Sequence, residues 1–194
     1  MDKLSYALGM SMASNLMNSG LRNIDVESFT DAFSCIVQHT PPSITPQEAN
    51  QVIQDFFSQR QDEVLTRNLE EGKAFLAENS KSEKVVTLPS GLQYEVLAEG
   101  EGATPSATDK VKCHYHGTLL DGTVFDSSVE RGQPAVFGVN QVIKGWVEAL
   151  QLMSVGSRWR LFVPSHLAYG EQGAGNSIEP NSTLIFDVEL LGIE

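Results

Sequence analysis

The sequence predicts an α+β protein: an all-helical N-terminal module that includes a long stalk helix, then a twisted antiparallel sheet wrapped on one short helix. Three observations carry this. Up to Ser80 the apolar residues recur at helical spacing, with no strand-like run. From Val85 onward the pattern becomes short alternating segments broken by glycine, and of 16 glycines only Gly9, Gly20 and Gly72 precede residue 90. Between the halves, Asn79-Ser80-Lys81-Ser82-Glu83-Lys84 is polar and reads as a linker, which divides the chain into residues 1–84 and 85–194.

Leu4, Leu8, Met12 and Leu16 recur every fourth residue on one helical face, and Gly20 ends that helix. Val26, Phe29, Phe33, Ile36 and Val37 stripe a second helix with Asp25 as its N-cap, closed by Pro41-Pro42. The third helix has a capping box: Thr45 at N-cap, Pro46 at N1 and Glu48 at N3. No proline follows until Pro89, so it is expected over about 46–79, roughly 50 Å at ~1.5 Å per residue. Ala49, Val52, Ile53, Phe56 and Phe57 make a dense early stripe. Beyond Ser58 the apolar residues thin to Val64, Leu65, Leu69, Phe75 and Leu76 among many charges, which predicts a solvated stalk. Two short helices and part of a third give a small core for a lone domain. The first helix is apolar nearly all round, so a second copy packed through a two-fold interface is expected to cover it.

In the second half, Tyr94, Val96 and Ala98 alternate against Gln93, Glu95 and Leu97. Val111, Cys113 and Tyr115 share one strand face, with Lys112, His114 and His116 on the other. Asp121-Gly122 between Leu119-Leu120 and Val124-Phe125 signals a hairpin. Trp159, Leu161 and Val163 oppose Arg158, Arg160 and Phe162, and Leu184, Phe186, Val188 and Leu190 oppose Ile185, Asp187 and Glu189. One helix fits here, about Gly145 to Met153, with Trp146, Ala149, Leu150 and Met153 inward.

Charge and composition exclude several roles. The formal net charge is -12, with 7 basic and 12 acidic residues in 1–84 and 6 and 13 in 85–194. Neither half offers the clustered Lys and Arg that nucleic acid or an anionic membrane rewards. No run approaches the ~20 apolar residues of a spanning helix. Cys35 and Cys113 lie far apart, which fits free thiols in a reducing compartment. Asp2, Ser5, Ser11, Ser14 and Asn15 interrupt any signal-peptide core. The expected location is therefore cytoplasmic, the alternative being export to the periplasm or cell surface with the signal absent from this sequence.

Familiar catalytic patterns are missing. His114 and His116 could reach one metal from a strand, but no Glu, Asp or Cys stands at helpful spacing. Gly170-Glu171-Gln172-Gly173-Ala174-Gly175 lacks the Lys-Ser/Thr of a phosphate loop. Ser165-His166 has no nucleophile-elbow context, and Cys113 alternates into an apolar face. What remains is a set of aromatics from separate segments: Tyr115, Phe125, Trp146, Tyr169 and Phe186. Asp126 directly follows Phe125, and Arg131 stands five residues on. Pattern alone leaves two readings, a plain core or an aromatic cup with a polar rim that binds a ligand.

Residues 88–194 resemble the FK-binding family of peptidyl-prolyl isomerases. The resemblance rests on Ser90-Gly91-Leu92-Gln93-Tyr94, on the run His114 to Ser128, and on Val142-Ile143-Lys144-Gly145-Trp146. Ala168-Tyr169-Gly170 and the run Leu184 to Leu191 follow in the family's order. The N-terminal half resembles, less sharply, the helical dimerisation module of bacterial members related to the macrophage infectivity potentiator. The resemblance implies that Tyr115, Phe125, Asp126, Ile143, Trp146, Tyr169 and Phe186 carry catalysis, with Arg131, Val142 and Ile178 binding substrate. Trp146 would form the floor of the proline pocket. The Ile143 N–H and the Tyr169 hydroxyl would hold substrate carbonyls, and Asp126 would hold Tyr115 and Arg131. It also implies proline-containing polypeptides as substrates, macrolides as possible inhibitors, and a homodimer. Four departures touch the rim: Ala135 where some members place phenylalanine, a loop after Phe137 shorter than in the small single-domain members, Ala174 where histidine is frequent, and Glu179 in place of the first proline of Ile-Pro-Pro.

Such a reaction makes and breaks no bond, so no metal or cofactor is expected. The pocket would lie wholly in 85–194, so that half alone should turn over small peptides as well as the full chain. The rival is a non-catalytic chaperone or scaffold module on the same fold.

Overall fold

The computed structural model describes residues 1–194. Helix α1 spans Lys3–Asn18, and Asp2 caps it by accepting from the Ser5 N–H at 2.7 Å. At its end the Gly20 N–H reaches Met17 O and the Leu21 N–H reaches Leu16 O, with Gly20 at φ +85°. That double closure needs a residue at positive φ, which glycine supplies without cost. Helix α2 (Val26–Gln38) is capped by Asp25, which accepts from the Ser28 N–H at 2.9 Å. Helix α3 runs from Pro46 to Asn79. Its capping box forms as expected: Glu48 N–H donates to Thr45 Oγ1 at 3.2 Å, and Thr45 N–H donates to Glu48 Oε2 at 2.8 Å.

The chain forms two compact units, Met1–Phe56 and Phe57–Glu194, which divide within α3. In the first unit, α1 and α2 contain no buried residue. Leu8, Met12, Phe29 and Phe33 keep 56%, 41%, 38% and 51% of their surface exposed, so the apolar stripes find no core within this chain.

The second unit corrects the expectation of a solvated stalk. Leu65, Asn68, Gly72, the adjacent pair Phe75 and Leu76, and Asn79 are buried or half-buried at helical spacing and form a stripe laid on the sheet. The Phe75 ring packs on Phe162, centroids 5.8 Å apart. Gln93 donates to Leu76 O at 2.9 Å and accepts from Asn79 Nδ2 at 2.8 Å, so its buried amide is satisfied by the end of α3. A Cβ on Gly72 would stand 2.2 Å from Thr183 Oγ1, so the helix approaches this closely only because residue 72 has no side chain.

The sheet has seven strands. These are β1 (Val85–Thr87), β2 (Gln93–Ala98), β3 (Lys110–Thr118), β4 (Val124–Ser127), β5 (Ala135–Gly138), β6 (Arg158–Val163) and β7 (Leu184–Ile193). Their order is β1-β2-β6-β7-β3-β4, and β5 also pairs with β3. Every pairing is antiparallel. The β3–β4 hairpin turns at Gly122, φ +85°, where the Asp121 carboxylate accepts from the Thr123 N–H. Helix α4 (Lys144–Leu150) is a little shorter than expected but buries Trp146, Ala149 and Leu150, with Met153 beyond its end. They pack with Val111, Cys113, Trp159, Leu161, Val163, Leu184, Val188 and Leu190 in one core. The strand alternation read from sequence holds in β3 and β7, whereas in β2 Gln93 is buried under α3 and Ala98 is exposed beyond a register shift. Phe162, on the outward face, is buried by Phe75 rather than by the core. The Cys113 thiol is fully buried, and that burial pushes its pKa up to about 12. His114 and His116 lie 3.0 Å from Ser128 Oγ and Ser127 Oγ.

Candidate active site

Strand alternation and the first turn of α4 bring the aromatic set together. Trp146 takes the third position of α4 and points into the sheet, 4% exposed. Three rings meet its indole edge-on: Phe186 at 5.3 Å, Tyr115 at 5.5 Å and Phe137 at 5.8 Å between centroids. Phe125 meets Phe186 edge-on at 5.4 Å. Edge-to-face contacts put ring hydrogens against π faces, so each ring orients the next. Gly117 makes room, because a Cβ there would fall 2.7 Å from Phe125 Cζ and 3.0 Å from Phe186 Cε1. The indole Nε1–H is buried and has no acceptor.

One edge of the cup is polar. Tyr115 donates its hydroxyl hydrogen to Asp126 Oδ2 at 2.5 Å. Arg131 donates to Asp126 Oδ1 through Nη1 and to the Tyr115 hydroxyl oxygen through Nη2, the latter at 2.8 Å. Its guanidinium carbon also stands 5.6 Å from the Tyr115 ring centroid. Burial works to raise the Asp126 carboxyl, but the hydrogen bonds from Tyr115 and Arg131 outweigh it and hold the group below the usual carboxylate range. The Tyr115 hydroxyl is shifted up, first by burial and then by its bond to that carboxylate. At neutral pH the triad is therefore a carboxylate, a neutral phenol and a guanidinium, each satisfied by the others.

The remaining candidates flank this group. Ile143 is the N-cap of α4; its carbonyl accepts from Trp146 and Val147, and its own N–H donates to no group of the protein. Val142 and Ile143 pack on the core cluster that contains Trp146. Ile178 is 7% exposed in the same cluster and pairs with Ala174 through two backbone hydrogen bonds, 2.9 and 3.1 Å. Tyr169 is 42% exposed, makes no ring contact with the other aromatics, and leaves its hydroxyl without a protein partner. The structure thus gathers Tyr115, Phe125, Asp126, Arg131, Trp146 and Phe186 by direct contact. Val142, Ile143 and Ile178 join through the shared core, and Tyr169 stands apart.

Phe137 belongs to the cup and was not among the candidates. Its signal was present in the alternation of Ala135 and Phe137 opposite Val111 and Cys113. Glu179, one of the departures at the rim, is engaged by α3: Arg67 Nη2 donates to it at 2.8 Å and Asn68 Nδ2 at 3.1 Å.

Comparison with known proteins decides what the cup belongs to. A family profile described as FKBP-type peptidyl-prolyl cis-trans isomerase matches residues 101–191. A second, described as the domain amino terminal to FKBP-type peptidyl-prolyl isomerase, matches residues 1–96. The FKBP-type 22 kDa peptidyl-prolyl cis-trans isomerase of Escherichia coli (strain K12) is 46% identical over 193 residues, which cover 97% of this chain and 93% of that protein. The chain belongs to the FKBP-type peptidyl-prolyl cis-trans isomerases. The isomerase is also 40% identical over 200 residues to the outer membrane protein MIP of Legionella longbeachae, spanning all of this chain and 85% of that one. Its fold matches the crystal structure of FkpA from Escherichia coli with a TM-score of 0.80 at 33% identity, over 99% of this chain and 95% of that one. The isomerase catalyses cis/trans exchange at X-Pro bonds of polypeptides. No helix of the isomerase is long and apolar enough to cross a membrane. The cytoplasmic expectation draws no support from a relative named an outer membrane protein.

Proposed function

We propose that the cup around Trp146 is where the isomerase twists the X-Pro amide. The observation that carries this is the indole of Trp146, fixed edge-on by Phe186, Tyr115 and Phe137. The uncatalysed barrier is about 18–20 kcal/mol because amide resonance resists rotation, slightly less before proline. At the half-rotated geometry resonance is lost, and the carbonyl becomes more ketone-like and less charge-separated. A dry aromatic surface favours that state over either planar form, which is catalysis by differential binding. The proline ring rests on Trp146, between Tyr115, Phe125 and Phe186. The Ile143 N–H and the Tyr169 hydroxyl, both without protein partners, hold substrate carbonyls and orient the chain. Asp126 and Arg131 fix Tyr115, while Val142 and Ile178 complete the apolar wall. Stabilising the twisted amide by ~5 kcal/mol gives between three and four powers of ten in rate.

The same cup is the site for macrolide inhibitors, and Ala135, Ala174 and Glu179 are the positions where affinity would depart from that of other members. The first two helices serve assembly, and the cup that carries the chemistry lies within 85–194. A homodimer is supported by α1 and α2, which bury no residue fully in one chain. It is supported too by the apolar groove of about 580 Å³ between them, lined by Leu8, Met12, Leu16, Phe29 and Phe33. For location, the relative named an outer membrane protein supports the exported alternative, and immunoblots of cell fractions decide it.

The test is a proline-limited refolding assay and an X-Pro peptide assay on the full chain, with and without chelator. Acceleration that survives chelator is expected. Loss of activity in chelator would overturn the cofactor-free mechanism, and unchanged rates in a Trp146→Leu variant would overturn the site.

A further inference from the structure

The segment from Tyr169 to Thr183 is closed on itself and then fastened to α3. The Asn181 N–H donates to Gly170 O at 2.8 Å, joining its two ends. Asn181, at φ +58° and 8% exposed, donates its side-chain amide to Leu65 O at 3.2 Å. Asn68 donates to Pro180 O at 2.8 Å and to Glu179 Oε2 at 3.1 Å. Its own oxygen accepts from Arg67 Nε and Nη2 at 3.3 and 3.2 Å. Asn68 is only 9% exposed, whereas the Arg67 and Glu179 side chains are 54% and 56% exposed. An exposed ion pair adds little by itself. The buried amide, with every polar group used, is the fixed point.

We propose that Asn68 is a positioning residue for the isomerase site, acting through Glu179 and Pro180 on Ile178 and Tyr169. Ile178 precedes Glu179 and fills the cluster that holds Trp146 and Phe186. Tyr169 begins the closed segment. Loosening one end of a segment that carries two substrate contacts costs their preorganisation, which appears in binding before it appears in the chemical step. The rings of the cup stand on β3, β4, β5, β7 and α4, none of which makes these hydrogen bonds to Asn68. A helix read from sequence as a spacer therefore sets part of the substrate site. The inference rests on the isomerase site proposed above.

The experiment compares the full chain with Asn68→Ala, Glu179→Ala and the double variant, on an X-Pro peptide and by amide NMR of the free protein. Asn68→Ala is expected to raise KM about threefold or more, within the range of coupling between contacting residues, with kcat held within about twofold. The double variant should have a KM no higher than Asn68→Ala alone. Glu179→Gln, which keeps an acceptor for Asn68, should restore most of the affinity lost in Glu179→Ala. The Tyr169 and Ile178 amide resonances should move in Asn68→Ala. If Asn68→Ala does not fold, the isosteric Asn68→Asp removes the same donors and carries the same expectation. Unchanged KM, additive effects, or unmoved resonances at 169 and 178 would each overturn the positioning role. A parent without turnover would overturn the isomerase site, while the resonances would still decide whether Asn68 sets the segment.

Discussion

Replacing Gly72 by alanine separates two pictures of α3 by the sign of one number. In a solvated helix the change is favourable, because alanine exceeds glycine in helix propensity by about 1 kcal/mol. Here the added methyl would stand 2.2 Å from Thr183 Oγ1 and 3.3 Å from Thr183 Cβ. Thr183 is 4% exposed and β-branched, so it has little freedom to rotate away. Forcing one methyl into such a contact costs about 2 kcal/mol, within the ordinary range for overpacking. The propensity gain offsets half of that and leaves a net loss of about 1 kcal/mol. For a unit of this size the expected fall in Tm is roughly 3–5 °C. The control is Thr183→Ala, which removes the oxygen. In that background Gly72→Ala should become stabilising by several tenths of a kcal/mol or more. Thermal or urea melts of the four proteins measure the cycle. A Gly72→Ala variant more stable than its parent would refute the packed helix.

Asp126→Ala leaves Tyr115 and Arg131 without their acceptor and should lower kcat/KM about tenfold, the low end for a hydrogen bond to a charged group, with a much smaller change in melting temperature. Turnover equal to the parent in the peptide assay would remove Asp126 from the site. Because the folded pKa of Asp126 is depressed, its contribution to stability is present above the unfolded value of ~3.9 and disappears as pH falls through the lower folded value. The stability gap between the parent and Asp126→Asn should thus close below about pH 4, read by melts across pH 2–7. Trp146→Leu should weaken macrolide binding at least about tenfold while the far-UV spectrum stays native, since an indole face is lost from an otherwise intact core. Phe33→Glu in the groove of the first unit should halve the mass seen by light scattering; a parent with the mass of one chain would rule out the dimer.

Much of this was legible because local rules and the tertiary structure agree. Asp25, the Thr45–Glu48 box and Gly20 mark helix ends by chemistry that acts within four residues. The alternation of Val111, Cys113 and Tyr115 names the core face of β3, whichever strands flank it. Asp126 and Arg131 were found because they follow Phe125 closely in sequence. Phe137 was missed because the alternation of Ala135 and Phe137 names an inward face only once β5 is paired with β3. The packed half of α3 was missed for another reason. Its contact stripe is built from Asn68, Gly72 and Asn79 as much as from Leu65, Phe75 and Leu76. A search for apolar periodicity passes over an interface whose centre is a glycine and whose fastenings are amides. The positioning role proposed for Asn68 predicts that residues 85–194 alone turn over small peptides less well than the full chain, because a cut at 84 removes Asn68 and uncovers Phe162 and Gln93.

The two cysteines differ in a way that offers a built-in probe. Cys113 has no exposed surface and its thiol is held almost entirely protonated, whereas Cys35 sits half-buried on α2. Thiol reagents act on the thiolate, so in the native protein near neutral pH they should modify Cys35 alone. Labelling stoichiometry then counts folded sheets: one label per chain while β3 is in place, two once it opens. A maleimide pulse during unfolding would time the opening of the sheet without any engineered residue.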